Sequence, residues 1–422
     1  MKNNIILIND NKFKSIFVSV NFIRKLKKEE NSKNALLASI LKKGTEKLKT
    51  EKELELELSR LYASSLDVNV EKVGGLYNVE FGAEYINKKY VDEDVADKVL
   101  NILHDIIYTP YLESGKFSKE IFDREKDVLI ERINQEKNDK RRWSLIRLEQ
   151  EMYNENDYGT SVYGSIEDIQ KETEETIYEY YKEFLKTSEI RIVVVGNLDG
   201  YDNLKETLKD KFLNNNVVIE KFDIKNREEF RKVEEYEKLN QSVLCLGLNV
   251  KNTKKDLVPI VTVYNSILGT TPASKLFQNV REKESLAYFA KSQYNKYINA
   301  IYIYSGINLS NVEKATSVIS KQLEDMKLGN ISDEEINTAK KNIVLTYKAL
   351  ADSKAALART MLANTLYSEE CLNIDKFISD VEKVTIENVV NIAKDIEINT
   401  IYLLGGKINE KVWGWNKQYN RW

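Results

Sequence analysis

The chain has 422 residues, 42% hydrophobic and 31% charged, with 64 basic against 67 acidic side chains and a net charge of −3. That length and apolar content suit two or more cored domains, and the interspersed charge offers no basic stripe to follow a phosphate backbone, which argues against nucleic acid as a partner. Three prolines and 16 glycines leave little for long disordered linkers, and no run reaches the 18 or so apolar residues that cross a bilayer.

In chain order, Phe17–Phe22 alternates as a strand, and Ala35–Lys42 is an apolar helical run with Gly44 where a helix end expects glycine. A charged amphipathic helix covers Lys49–Tyr62. Strands Leu66–Val70 and Tyr77–Tyr85 meet at Gly74-Gly75, a hairpin signal. Asp94–Ile107 is an amphipathic helix ended by Pro110, and Ser118 stands as cap of a long helix through Lys137, with more helix to Met152. A helix over Thr173–Leu185 leads to a buried strand, Ile190–Val195.

The order then repeats. Val243–Val250 is a strand, Leu257–Leu268 a helix, and Leu286–Tyr294 and Ala300–Ile307 a strand pair. Asn311–Met326 is a helix, and Ser332 with Glu335 forms a capping box for another. Thr400–Leu404 closes the second half as Ile190–Val195 closes the first. ASILKKGT (38–45) and NSILGT (265–270) match in place, so a duplicated unit of about 200 residues is expected. The expected boundaries are 1–200 and 239–422, with the polar stretch 201–238 as linker.

Chemistry-bearing residues are few. Cys245 and Cys371 lie far apart, which argues against disulfides and thiolate metal sites and fits a reducing compartment. The N-terminus MKNNIILIND lacks the cationic start and unbroken apolar core of a signal peptide, and a cytoplasmic location is expected. The one histidine, His104, sits among apolar neighbours in VLNILHDII and reads as structural. A zinc hydrolase usually takes two or three imidazoles, and a Ser-His-Asp triad takes one as base. The segment KLFQNVREKESLAY (275–288) puts Arg281 and Tyr288 seven residues apart across a charged turn between helix and strand. A guanidinium and a phenol there offer hydrogen-bond donors to a carbonyl or carboxylate. On spacing alone the commoner reading is a solvated charge run ahead of a core tyrosine.

With the repeat, the KGT after the first helix, FDREKDVLIERI, IRIVVVGNL and SKLFQNVREKESLAY, nearly the whole chain resembles the pitrilysin/insulysin superfamily of inverzincin peptidases in its half-size, processing-peptidase-like form. The resemblance implies an α+β fold of two α/β units, each a mostly antiparallel sheet packed with helices. Active members carry H-x-x-E-H on the first helix, two zinc ligands around a general base. Anchored on Lys43-Gly44-Thr45, that motif falls on Ala35, Ala38 and Ser39, and the family's third ligand, a glutamate, falls on Arg132. The substrate-binding edge strand, usually Asn-Ala, reads Asp67-Val68. The family's Arg/Tyr pair, which holds the substrate carbonyl, matches Arg281 and Tyr288.

The resemblance therefore implies a zinc-less chain acting as non-catalytic partner, in a heterodimer, of an H-x-x-E-H subunit that holds the zinc and cuts peptides. A catalytically inert peptide-binding or scaffold subunit, including a homodimer, is the alternative. The tail VWGWNKQYNRW (412–422) holds three of the four tryptophans and reads equally as a docking segment or a strand-edge cover.

Overall fold

The computed structural model describes residues 4–153, 157–213, 215–220, 224, 229–252, 254–368 and 371–406. The first half opens with β1 (Ile5–Asn9), β2 (Ser15–Lys25), α1 (Lys28–Leu41) and α2 (Glu51–Arg60). The β3–β4 hairpin (Ser65–Val73 and Leu76–Ile86), α3 (Ala96–Tyr108) and a two-residue pair, β5 (Leu112–Glu113) with β6 (Lys116–Phe117), follow. Next come α4 (Lys119–Asn138), α5 (Lys140–Met152), α6 (Ile166–Lys171), α7 (Glu174–Thr187) and β7 (Glu189–Gly196). Local pattern explains these elements. In β4, Tyr77, Val79, Phe81, Ala83 and Tyr85 recur at every second position and are all buried. In α3, Val99, Leu100, Leu103, Ile106 and Ile107 bury one helical stripe.

After α8 (Leu204–Phe212), which packs on the first half, the second half runs through β8 (Arg231–Glu237), β9 (Ser242–Val250), α9 (Val258–Gly269), β10 (Ala287–Asn295) and β11 (Ala300–Ile307). It ends with α10 (Val312–Lys327), α11 (Asp333–Ala351), α12 (Lys354–Ser368), α13 (Ile374–Lys383), α14 (Ile386–Ala393) and β12 (Ile396–Gly406). Ser332 and Glu335 form the expected capping box.

The two sheets repeat one topology. The first has strand order β1-β7-β2-β4-β3 and the second, read from its other edge, β8-β12-β9-β11-β10. In each, the first pair is parallel (β1 with β7, β8 with β12) and the remaining pairs are antiparallel. The expectation of two mostly antiparallel α/β units holds.

Each half lends a helix to the other half's sheet. From the first half, α5 packs Leu148 and Met152 against Val243, Cys245, Tyr302 and Tyr402 of the second sheet. Gly247 on β9 is the reason Met152 fits, since a Cβ there would stand 2.1 Å from the Met152 sulfur. Arg147 pairs with Glu235 across this contact, and Arg231 reaches Glu151 at 2.9 Å. In return α12 lays Leu357, Met361, Leu362 and Leu366 on Phe17, Ile23, Val193 and Val195 of the first sheet. Tyr367 at its end accepts from Gly75 N (2.8 Å) and donates to Val73 O (2.7 Å), clasping the β3–β4 turn.

Several sequence expectations change. Helix α1 starts seven residues before Ala35 because Asn31, Ser32 and Asn34 are buried on partners from later in the chain. Asn31 donates to Thr160 and Ser161, and Asn34 accepts from Tyr180. Gly44 does not end the helix in a left-handed conformation; a Cβ there would meet the Lys49 carbonyl at 2.5 Å. Ser118 precedes α4, but its hydroxyl makes no capping bond. The polar stretch 201–238 contains α8, whose Leu204, Leu208 and Phe212 pack into the first core, and the edge strand β8. The tryptophan-rich tail lies outside the described residues.

Candidate functional site

The first candidate is the pair of helices α1 and α4, which pack on one another. Ala35 and Ala38 are buried at 3% and 5% exposure, and Ser39 is half-buried. Arg132 is exposed on α4, with its guanidinium 5.3 Å from the Tyr163 ring centre. About two turns before it, Glu125 is buried and is neutralised by Lys43 at 3.5 Å and Arg124 at 3.2 Å. A zinc ion takes three or four lone-pair donors, whereas these positions supply two methyl groups, one hydroxyl and a cation. Among the described residues no group of three or more His, Cys, Asp or Glu is placed to hold a metal. The residues at these positions do not fit zinc.

His104 packs its ring 4.9 Å from Tyr108 and 6.2 Å from Phe212, with Nδ1 3.4 Å from Asp105. It is half-exposed, not enclosed as its apolar neighbours in sequence suggest, and its contacts are those of a packing residue. Cys245 is a buried free thiol, pushed up in pKa by that burial, and Cys371 is exposed.

The second candidate is Lys275–Tyr288. Lys275 is buried and anchors the segment, donating to Asn330 O at 2.6 Å and pairing with Glu335 at 2.8 Å. Leu276 and Val280 are fully buried beneath it. The sequence reads as ordinary helix, but Phe277–Lys283 winds as a π-turn, with Glu284 N bonded to Asn279 O. The Asn279 side chain takes the Lys275 carbonyl at 2.9 Å and Gln322 at 2.9 Å, which holds the wider turn. The turn lifts Arg281 outward, 43% exposed, over the Phe277 ring at 4.5 Å, with Glu282 at 3.4 Å.

Ser285 then takes a left-handed φ of 50° and the chain enters β10, the free edge of the second sheet. Pairing with β11 slips between Ala287 and Phe289, so Tyr288 sits at a bulge. It is 65% exposed, and among the described residues its hydroxyl has no hydrogen-bond partner. Tyr288 is thus no core residue. Arg281 and Tyr288 stand exposed on either side of the turn at 284–286, and no hydrogen bond joins them.

The edge strand β3 carries Asp67, 61% exposed, 3.3 Å from Lys42 and 3.1 Å from Asn69. On its inner side, Leu54, Leu58, Leu66, Val68 and Phe81 line a cleft of about 60 Å³, with Asp67, Lys42 and Glu51 also lining it. On the outer face, Asn78 and Glu80 of β4 are buried, and Glu80 is bonded to Arg359 of α12 at 2.7 Å. Sequence reasoning missed these two. Their alternation with Val79 and Phe81 marks them as the outward face of a strand, and the helix that partly covers them lies almost 280 residues further on.

Comparison with known proteins accords with this arrangement. Residues 171–343 match the family described as "Peptidase M16 inactive domain". The chain is 30% identical over 407 residues to the "Probable inactive metalloprotease YmfF" of Bacillus subtilis, covering 95% of each protein. It is 22% identical over 341 residues to the "Uncharacterized zinc protease YmxG" of the same organism, covering 79% of this chain and 81% of that one. Among solved structures, a conserved protein from Enterococcus faecalis superposes with a TM-score of 0.89 at 26% identity, covering 96% of this chain and 97% of that chain. The chain belongs to the M16 peptidase family.

Proposed function

We propose that the chain is the zinc-less subunit of a heterodimeric M16-type metallopeptidase, which lends Arg281 and Tyr288 to peptides cut by an H-x-x-E-H partner. The partner holds the metal. This chain's residues bind and orient the substrate. The Arg281 guanidinium offers a rigid fork of N–H donors to a peptide carbonyl, and the Tyr288 hydroxyl adds one more. Donors fixed before reaction at a developing oxyanion are among the larger contributions to such chemistry.

One observation carries the reading: both donors are held out of the fold, by a π-turn and by a strand bulge, with little inside the chain to use them. Exposing a tyrosine to 65% while Leu286, Ala287 and Ala290 beside it are buried fits a group kept for something outside. That Bacillus subtilis has relatives of this chain named both inactive and zinc protease fits a pairing of the two types.

The test is co-expression with an H-x-x-E-H paralogue from the same genome, reading complex size, zinc content and turnover of a quenched peptide. A zinc-loaded mixed dimer that cuts the peptide, with this chain alone inert, is the expected result. A paralogue that cuts equally well alone would overturn the proposal in favour of an inert binding or scaffold subunit.

A further inference from the structure

The outer face of the first sheet changes character midway. Over β7 and β2 it is mostly apolar and covered by α12, with Arg191 buried there on Glu189. Over β4 and β3 it is polar. The register sets Asn69 opposite Glu80, Glu71 opposite Asn78 and Asp67 opposite Gly82, and directly paired residues share a face. From β2, Asn21 and Ser19 join the same rows.

Two buried acceptors on this face have no donor among the described residues. Asn78 Nδ2 donates to Asn21 Oδ1 and to Glu71 Oε1, each at 3.1 Å, which fixes its amide, and Asn21 Nδ2 goes to Ser19 Oγ at 3.0 Å. Arg359 Nε serves one oxygen of Glu80. Left over are Asn78 Oδ1 and Glu80 Oε1. Both are buried and without a partner among the described residues, on side chains only 0% and 1% exposed. Buried acceptors are nearly always satisfied, so two orphans two residues apart on one strand ask for a donor. Burial also pushes the Glu80 carboxyl above its usual range, against the pull of Arg359, with Glu71 and Asp67 adding to the push.

The charges facing this patch are Asp67, Glu71 and Glu80 against Arg359, with Lys42 at the rim on Asp67; Arg191 of β7, opposite Asn21, is held by Glu189 at 2.7 Å. Glu84, further along β4, is already held by Lys354 and Ser15. The patch opens sideways, because β3 is the sheet's edge and Asp67 is exposed beside half-buried Asn69 and Glu71. What fits is a group with several N–H donors and a positive charge that can slide in from an extended segment.

We propose that Asp67, Glu71, Asn78 and Glu80 form a binding site for a lysine or arginine side chain of an extended peptide, so that this subunit selects basic substrates. The inference rests on the reading of the chain as a substrate-contacting subunit and names the class of substrate it contacts.

The test uses the full chain alone and fluorescence anisotropy. The probes are two labelled unstructured peptides that differ at one position, lysine in one and norleucine in the other. The lysine peptide should bind roughly tenfold more tightly at low salt, with the preference shrinking in about 0.5 M NaCl. Glu71→Gln keeps an oxygen for Asn78 and should abolish most of the preference while leaving the norleucine peptide unaffected. Glu80→Gln, checked for folding by its near-UV dichroism, should do the same. Equal binding of the two peptides, a preference untouched by both variants, or no binding of either would overturn the site. Equal binding leaves the subunit reading standing. A lysine preference alongside a mixed complex that turns over peptide without need of Arg281 would keep the site and sink the subunit reading.

Discussion

Replacing Met152 with alanine is expected to destabilise both halves of the molecule at once. Met152 is fully buried at the end of α5, a first-half helix, and its thioether lies where a side chain on Gly247 of the second sheet would be. The substitution removes the three atoms nearest Gly247, and a glycine has no side chain with which to fill the hole. Methionine-to-alanine changes in cores cost about 2–5 kcal/mol, more when the site cannot collapse, so we expect roughly 3–4 kcal/mol by urea denaturation. Gly247→Ala alone should also destabilise, because its Cβ meets the sulfur at 2.1 Å. In the double variant the new methyl occupies part of the space Met152 vacates, so the two losses should fail to add by more than about 1 kcal/mol. Hydrogen exchange should rise in β9 and β12 as well as in α5. A loss below about 1 kcal/mol, strict additivity, or exchange changes confined to the first half would refute the interlocked packing.

Tyr367→Phe removes the clasp on the β3–β4 turn, two hydrogen bonds at 2.8 and 2.7 Å; a cost of about 1–3 kcal/mol is expected, with faster exchange at the Gly75 amide, and unchanged exchange there would contradict it. Glu235 is held below its ordinary carboxyl value of 4.5: burial pushes it up, but its bonds to Arg147 and Tyr402 and the Arg147 charge outweigh that. A depressed folded-state pKa contributes stability above the unfolded value that is lost as pH falls through the folded one. The stability gap between wild type and Glu235→Gln should therefore hold at neutral pH and shrink below about pH 4.5, and a gap unchanged at pH 3 would refute the pairing. Zinc at about a hundred times a micromolar dissociation constant would add about 2.7 kcal/mol to a chain that bound it; the unfolding midpoint of this chain is expected not to move.

Much of the architecture is readable from residue pattern because most buried faces have a clean period. Tyr77–Tyr85 shows period 2, and Val99–Ile107 shows the helical stripe. The edge strand β8, RKVEEYE, alternates between exposed and half-buried residues with charges on both sides, so hydrophobicity is silent there. The exchange of α5 and α12 is equally silent. Their apolar residues announce burial but not against which sheet, and the partner strands lie across the duplication. At the site, motif text identifies Arg281 and Tyr288, but not what exposes them. The π-turn depends on Asn279 reaching Gln322 of α10, and the bulge on a register slip with β11. Both are decided by tertiary contacts. The buried polar pair Asn78 and Glu80 is legible only after Arg359 is seen to arrive from the second half.

The most direct measurement is peptide turnover by the purified mixed complex with wild-type chain and with Arg281→Glu, each checked for assembly by size. Arg281 is 43% exposed, over the half-buried Phe277 ring and beside Glu282, so the variant should assemble normally. The account predicts that turnover falls by about two orders of magnitude, the scale of losing one oxyanion donor. Turnover equal to wild type in a correctly assembled complex would contradict it.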